Sequence, residues 1–208
     1  KIMKEPLKDW RDIMSWRQNV AALYRPVSEA VALGSVWTAF VTARRQLIHT
    51  HPGAMSVLDK TAPHYFDYNP DFATESHFAP LDAGKQYIVS GGSDGEIIFT
   101  AIARSTELTP LLGAELTLYW LDQYGGGLFL PFKDASCGSA SYGGGRYLID
   151  SVKSAFLGIT SAGRLRLDFN YAYFPSCAHD DRYVCPLSPQ ENTLPVAITA
   201  GECWQANH

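Results

Sequence analysis

The chain has 208 residues, 46% of them hydrophobic and 12% aromatic, a composition that suits one packed domain, or one domain with an appendage, and excludes a disordered chain. Seventeen basic against 21 acidic residues leave a net charge of −4, and no basic run is longer than Arg44-Arg45, so the charge pattern argues against a nucleic-acid footprint. The longest uncharged stretch, Ala30 to Ala43, spans fourteen residues and is too short for a transmembrane helix.

No signal peptide is visible, although a chain that starts at Lys1 and not at Met leaves room for a removed leader; the cytoplasm is the default expectation. Four cysteines, Cys137, Cys177, Cys185 and Cys203, fit two bridges or none.

From Pro6 to Tyr24 the apolar residues Leu7, Trp10, Ile13, Met14, Val20, Leu23 and Tyr24 recur at helical spacing. Pro6 suits a first turn and Asp9 and Asp12 suit the positive helix start, while Pro26 is expected to end or interrupt the helix. A second helix is expected from about Ser35, a capping residue, through Trp37, Phe40, Val41, Arg44, Leu47 and Ile48 to His49-Thr50-His51-Pro52-Gly53. The two histidines could chelate a metal on an extended backbone, but at a helix end before Pro52 they read as charges on the last turn or as surface residues. Trp10, Trp16 and Trp37 make the pair aromatic, either because it packs on the following domain or because it offers a docking face to a protein partner.

Prolines 52, 63 and 70 break the next stretch. Residues 1–58 are therefore read as a helical N-terminal segment, 59–71 as a linker and 72–204 as a β-rich domain. Strands are expected over Phe72 to Phe78, Gln86 to Val89 and, after the turn Gly91-Gly92-Ser93-Asp94-Gly95, Glu96 to Thr106. Ala114 to Leu121 would bring Leu116, Leu118 and Trp120 to one face. The fold class is α+β: N-terminal helices packed on a predominantly antiparallel β-domain, a sandwich or partly closed barrel.

Two glycine triplets, Tyr124-Gly125-Gly126-Gly127 and Tyr142-Gly143-Gly144-Gly145, invite comparison with phosphate-cradling loops. Neither continues into GK[ST] and neither sits in a βαβ unit, so Walker and dinucleotide loops are excluded. A bend or bulge entering a strand is the plainer reading. The second triplet is followed by Arg146 inside the apolar run Tyr147-Leu148-Ile149. A buried Arg needs acidic or carbonyl partners, and Asp134 and Asp168 are candidates.

The stretch from Arg164 to Glu202 carries the densest polar signal. In Leu165 to Tyr173, strand alternation would place Leu165, Leu167, Phe169, Tyr171 and Tyr173 on one face and Arg166, Asp168, Asn170 and Ala172 on the other. Asp and Asn are poor strand formers, which points to specific hydrogen bonds. Seven residues separate Cys177 from Cys185, a spacing that suits a small disulfide-closed loop or two structural thiols and does not match structural zinc pairs. His179, Asp180 and Asp181 could add metal ligands, but adjacent acids before Arg182 read as a solvated turn. No metal and no cofactor is implied. Pro186, Pro189 and Pro195 keep the segment extended ahead of a last strand, Leu194 to Ala200.

DFNYAYFPSCA, CPLSPQENTLP and AITAGE, with the upstream GLFLPFKDASCGSASYGGGRYL, resemble the signature of domain-of-unknown-function family 1684, a bacterial and archaeal family. The resemblance covers Gly127 to Glu202. The chain departs from the family pattern at Phe174, where Asn is usual, at His179, where an aromatic is usual, and at Thr193, where Arg is usual. The resemblance implies no activity and transfers no catalytic residue.

The candidate site joins Arg146, Asp168, Asn170 and Tyr173, with Lys133, Asp134, Tyr142 and Glu202 at its rim. Such a set can hold a small anionic or oxygen-rich ligand. In an enzyme, Asp168 would act as general acid–base and Arg146 would stabilise negative charge. Cysteine nucleophilic catalysis is the weaker option, because a Cys177–Cys185 bridge would remove the nucleophile. The alternative function is that of a non-catalytic interaction subunit of a larger assembly, using the aromatic helices and the Pro186–Pro195 segment as contact surfaces.

Overall fold

The apolar spacing of the first fifty residues builds two helices, α1 (Trp10–Glu29) and α2 (Gly34–Thr50). A computed structural model of the chain describes residues 10–54, 63–90, 95–179 and 183–204. The helix start at Pro6 and Asp9, the turn at Gly91 to Asp94, and Asp180, Asp181 and Arg182 lie outside the described residues. Pro26 does not end α1, which runs through it to Glu29. Tyr24 and Val27, buried on either side of the proline, hold the last turn where a backbone bond is lost. Ser35 does not cap α2; its hydroxyl turns back to Ala32 O at 2.7 Å. At the far end both ring nitrogens of His51 are engaged, Nε2 with Ser15 Oγ at 3.1 Å and Nδ1 with the Gly53 N–H at 2.9 Å, which ties the end of α2 to α1.

The β-domain is an open, antiparallel sheet. β3 (Phe78–Pro80), β5 (Glu96–Ser105), β6 (Thr117–Leu121), β7 (Gly127–Phe132) and β8 (Arg146–Asp150) follow one another across it, with β4 (Gln86–Ser90) also on β5. The strand expected over Phe72 to Phe78 is instead a 3-10 turn, Pro70–Phe72, and two strands with different partners. β2 (Ala73–Ser76) pairs with β9 (Leu165–Asp168) and β3 with β5. A short pair, β1 (His64–Tyr65) with β10 (Glu202–Cys203), stitches the segment expected as a linker to the C-terminal end.

The central strands are buried on both faces. Phe99, Tyr119, Phe129 and Tyr147 meet Tyr24, Phe40 and Val41 of the helices in one core. Leu118, Leu130 and Leu148 meet Leu167, Phe169, Leu194 and Ile198 in a second. Strands covered on both sides read as continuous apolar runs and lose the alternation of a one-sided sheet. Leu116 and Leu118 are buried as expected, but Trp120, at the end of β6, is partly exposed. Both glycine triplets lead into strands, β7 and β8. At Gly145 the requirement is strict: φ is +92°, and a Cβ would stand 2.4 Å from Phe132 O.

One expected strand is cut short and another does not form. Leu165 to Tyr173 is a strand only to Asp168, after which Phe169–Tyr171 forms a 3-10 turn capped by the Asp168 side chain, which accepts from Asn170 N at 2.9 Å. The two poor strand formers therefore sit at a turn, the position their chemistry favours. Leu194 to Ala200 alternates in burial but forms no strand: Leu194 N and Val196 O bond the backbone of Lys133 and Ala135, and from Ile198 onward side chains bond the backbone. Asn192 is one of the residues that anchor it. Its Oδ1 accepts from Thr117 N at 2.7 Å, and its Nδ2 donates to Thr117 O and Pro131 O, both at 2.8 Å. Asn192→Leu strands three buried backbone groups, so chemical denaturation should show a loss of about 3 kcal/mol or more. A loss under about 1 kcal/mol would mean that these bonds do not anchor the segment.

Candidate functional site

Arg146 and Asp168, singled out in the sequence, fall into two separate networks. In the first, Arg146 enters the core at the start of β8. Its Nη2 pairs with Asp134 Oδ2 at 2.5 Å and donates to Ile198 O at 2.8 Å, while Nη1 donates to Ala200 O and Glu202 O. Both side chains of this ion pair are fully enclosed. In the second, Asp168 accepts from the N–H and Nδ2 of Asn170 at 2.9 and 2.7 Å and from the Tyr68 hydroxyl at 3.1 Å. Asn170 also exchanges bonds with the backbone of Asn69. Arg146 and Asp168 share no hydrogen bond or ion pair among the described residues. The expected single pocket around them is not what the fold builds, because each group finds its partners in a different segment of chain. Lys133 is engaged through its backbone, N–H to Asn192 O and C=O to Leu194 N. Tyr142 packs edge-on against Phe174 and Trp204.

Burial raises the Asp168 pKa above the ordinary aspartate value, against the lowering effect of Asn170, Tyr68 and Arg166. A raised folded-state pKa means that folding takes up a proton between the unfolded value of 3.8 and the raised one, so this group's contribution falls as pH rises through that window.

A cavity of about 400 Å³ lies elsewhere, between α1, α2 and the β-domain, and it falls within the usual range for small-molecule sites, ~300–1,000 Å³. Of the residues the sequence joined around Arg146 and Asp168, Tyr173 and Glu202 line it. Glu202 is the hinge between the cavity and the Arg146 network. Its carbonyl accepts from Arg146, its Oε2 accepts from Phe174 N at 2.7 Å, and its Oε1 accepts from Arg44 Nη2 at 2.7 Å and the Tyr65 hydroxyl at 3.1 Å. Arg44 also donates from Nε to Tyr65 and lies over the Tyr173 ring at 5.0 Å. Its Nη1 makes no hydrogen bond among the described residues.

The wall also carries Tyr24, Lys153, His179 and Cys185. The Tyr24 hydroxyl is buried and has no hydrogen-bond partner among the described residues. Burial pushes its pKa up to about 12, with Glu202 and Asp150 adding to the rise and Arg44 opposing it. Lys153 Nζ stands 3.3 Å from Asp150 Oδ2, which also accepts from the Tyr173 hydroxyl. Desolvation works against the ammonium, but Asp150 and Cys185 hold its pKa above the ordinary lysine value. Burial lowers the His179 pKa, opposed by Glu202 and helped by Arg44, which favours the neutral imidazole. The lining carries three cationic side chains, Arg17, Arg44 and Lys153, against the single carboxylate of Glu202. Cys177 and Cys185 are neighbours, both as thiols, with the Cys177 N–H on Cys185 Sγ at 3.3 Å.

The profile of a family described as "Protein of unknown function (DUF1684)" matches residues 61–203. The chain belongs to this family. Its fold is similar to the solution NMR structure of the uncharacterized protein from gene locus rrnAC0354 of Haloarcula marismortui, at 27% identity and a TM-score of 0.56, over 84% of this chain and 98% of that one. Among curated proteins nothing matches. The family profile takes in Lys153, Tyr173, Cys185 and Glu202, whereas Tyr24 and Arg44 precede it, so the cavity wall is shared between the DUF1684 region and the helices before it.

Sequence reasoning missed Tyr24, Arg44, Lys153 and Cys185 as cavity residues. A signal existed for Arg44, which falls in the Phe40, Val41, Leu47 and Ile48 stripe of α2, where a charge needs a partner in the core. Nothing in the chain joins that charge to Glu202, 158 residues later. Arg146→Met leaves Asp134 and three carbonyls without their donor and should destabilise by about 3–5 kcal/mol, measured by urea unfolding; a change near zero would make the network dispensable. Asp168→Asn should remove the fall in stability with rising pH just above pH 3.8. Stability profiles of the two proteins that stay parallel there would refute the assigned shift.

Proposed function

We propose that the protein binds a small organic anion, a carboxylate or phosphate with an apolar body, in the cavity between the helices and the β-domain. The observation that carries this reading is the Tyr24 hydroxyl, buried on the cavity wall with no partner. A buried hydroxyl left unpaired costs about 1–3 kcal/mol, a cost that a ligand acceptor would remove. Arg44 supports the same chemistry: Glu202 takes Nε and Nη2 and leaves Nη1 for an anion. Lys153 and Arg17 add positive charge. Val20, Ile48, Val152 and Ala155 supply apolar lining for the body of the ligand. In this reading Glu202 orients Arg44 and Tyr173 lies under its guanidinium.

Charge and an unused donor in a concave, partly apolar site make a binding site, and general acid–base chemistry needs a substrate before it can be assigned. Binding is tested by native mass spectrometry of the purified chain and by thermal shift against a panel of carboxylates and phosphates. At least one anion should raise the melting temperature. Tyr24→Phe should weaken its binding about ten-fold, the worth of one hydrogen bond, while leaving the ligand-free protein as stable or about 1 kcal/mol more so. Absence of any stabilising anion, or binding indifferent to Tyr24→Phe, would overturn the reading.

A further inference from the structure

Cys185 reaches the exterior through the cavity, whose wall it shares with Lys153, and is itself only 8% exposed. Its sulfur accepts the Cys177 N–H at 3.3 Å, which sets the two cysteines side by side. Cys177 Sγ in turn lies 3.8 Å from the Tyr142 hydroxyl. Two neighbouring thiols, one of them on a cavity wall, have the arrangement of an attacking and a resolving sulfur. The groups around Cys185 divide the roles. Donation from Cys177 and the Lys153 charge lower the Cys185 pKa despite burial, whereas the negative Cys185 sulfur and burial raise that of Cys177. Among the described residues, Asp150 behind Lys153, the Tyr147 phenol and the Tyr142 hydroxyl are further titratable groups near the pair. A thiolate so enclosed admits a small oxidant through the cavity and excludes a protein disulfide.

We propose that Cys185 and Cys177 form a redox pair in which small hydroperoxides oxidise Cys185 and Cys177 resolves the product to a disulfide. The Cys185 thiolate attacks the terminal oxygen of R–O–OH: an S–O bond forms, the O–O bond breaks, and the leaving alkoxide takes a proton from solvent. Cys185 is then a sulfenic acid and the peroxide has become an alcohol. The Cys177 thiol attacks the sulfenyl sulfur, and its proton leaves with the displaced hydroxide as water. An external small dithiol restores both thiols and is itself oxidised to a disulfide. This chemistry does not require an organic anion to be a ligand of the cavity, and the test below uses the protein without one.

The full chain, reduced and then given one equivalent of hydrogen peroxide at pH 7, is quenched with N-ethylmaleimide and mapped by mass spectrometry. Two labels should be lost, from Cys177 and Cys185, and dithiothreitol should restore them. Cys177→Ser should trap a dimedone-reactive sulfenic acid on Cys185, and Cys185→Ser should slow oxidation of Cys177 about ten-fold or more. The double variant Cys137→Ser/Cys203→Ser leaves the pair untouched and should lose the same two labels, which keeps the test valid if either single variant fails to fold. Four labels retained, oxidation spread evenly over all four cysteines, or sulfenic acid appearing first on Cys177 would each overturn the proposal.

Discussion

The Arg146 guanidinium is the interaction on which the C-terminal third depends. An extended segment normally satisfies its carbonyls in a ladder. Here Ile198, Ala200 and Glu202 direct theirs to one side chain, so a guanidinium replaces a neighbouring strand. Asp134 neutralises that charge and accepts from Ile198 N at 3.1 Å, which makes the arrangement reciprocal. A planar donor fork suits this task where a lysine point charge would not. The glycine before it is part of the same constraint, since only a residue without Cβ lets the chain pass Phe132 O at that φ.

The consequence reaches the cavity through Glu202. Its backbone is held by Arg146 and by Ala172 O, which fixes the carboxylate where Arg44 of α2 and Tyr65 of β1 meet it. The helices are thereby joined to the β-domain by a buried charge pair as well as by apolar contact. Such a pair adds little net stability over a hydrophobic substitute but specifies one docking geometry. That geometry leaves a void between the two layers, lined by side chains from both, with an unpaired phenol in its wall. Tyr24, Arg44, Lys153 and Cys185 lie on the same wall.

The helices were legible because their periodicity is long and its faces differ. Two local readings failed for an identifiable reason. Pro26 was a sound stop signal, overruled by the burial of Val27 beyond it. The run from Leu165 to Tyr173 looked like a strand because its apolar residues alternate; past Asp168 both sets of residues are buried, and alternation no longer reports the backbone. Among the site residues, Arg146 was legible as a buried charge, and Asp134 was one of its two named partners. Choosing between Asp134 and Asp168 required knowing which segment crosses the end of β8.

From the sequence alone come the α+β class, the antiparallel β-rich domain after two aromatic helices and the need of Arg146 for buried partners. These follow from local chemistry: period, turn residues and the cost of an unpaired charge. The tertiary structure alone decides that Asp134 takes Arg146, that Asp168 turns to Asn170 and Tyr68, and that Arg44 meets Glu202 beside a cavity. Each of those outcomes depends on which distant segments are brought within about 3 Å, the range of a hydrogen bond, and no spacing along the chain encodes that.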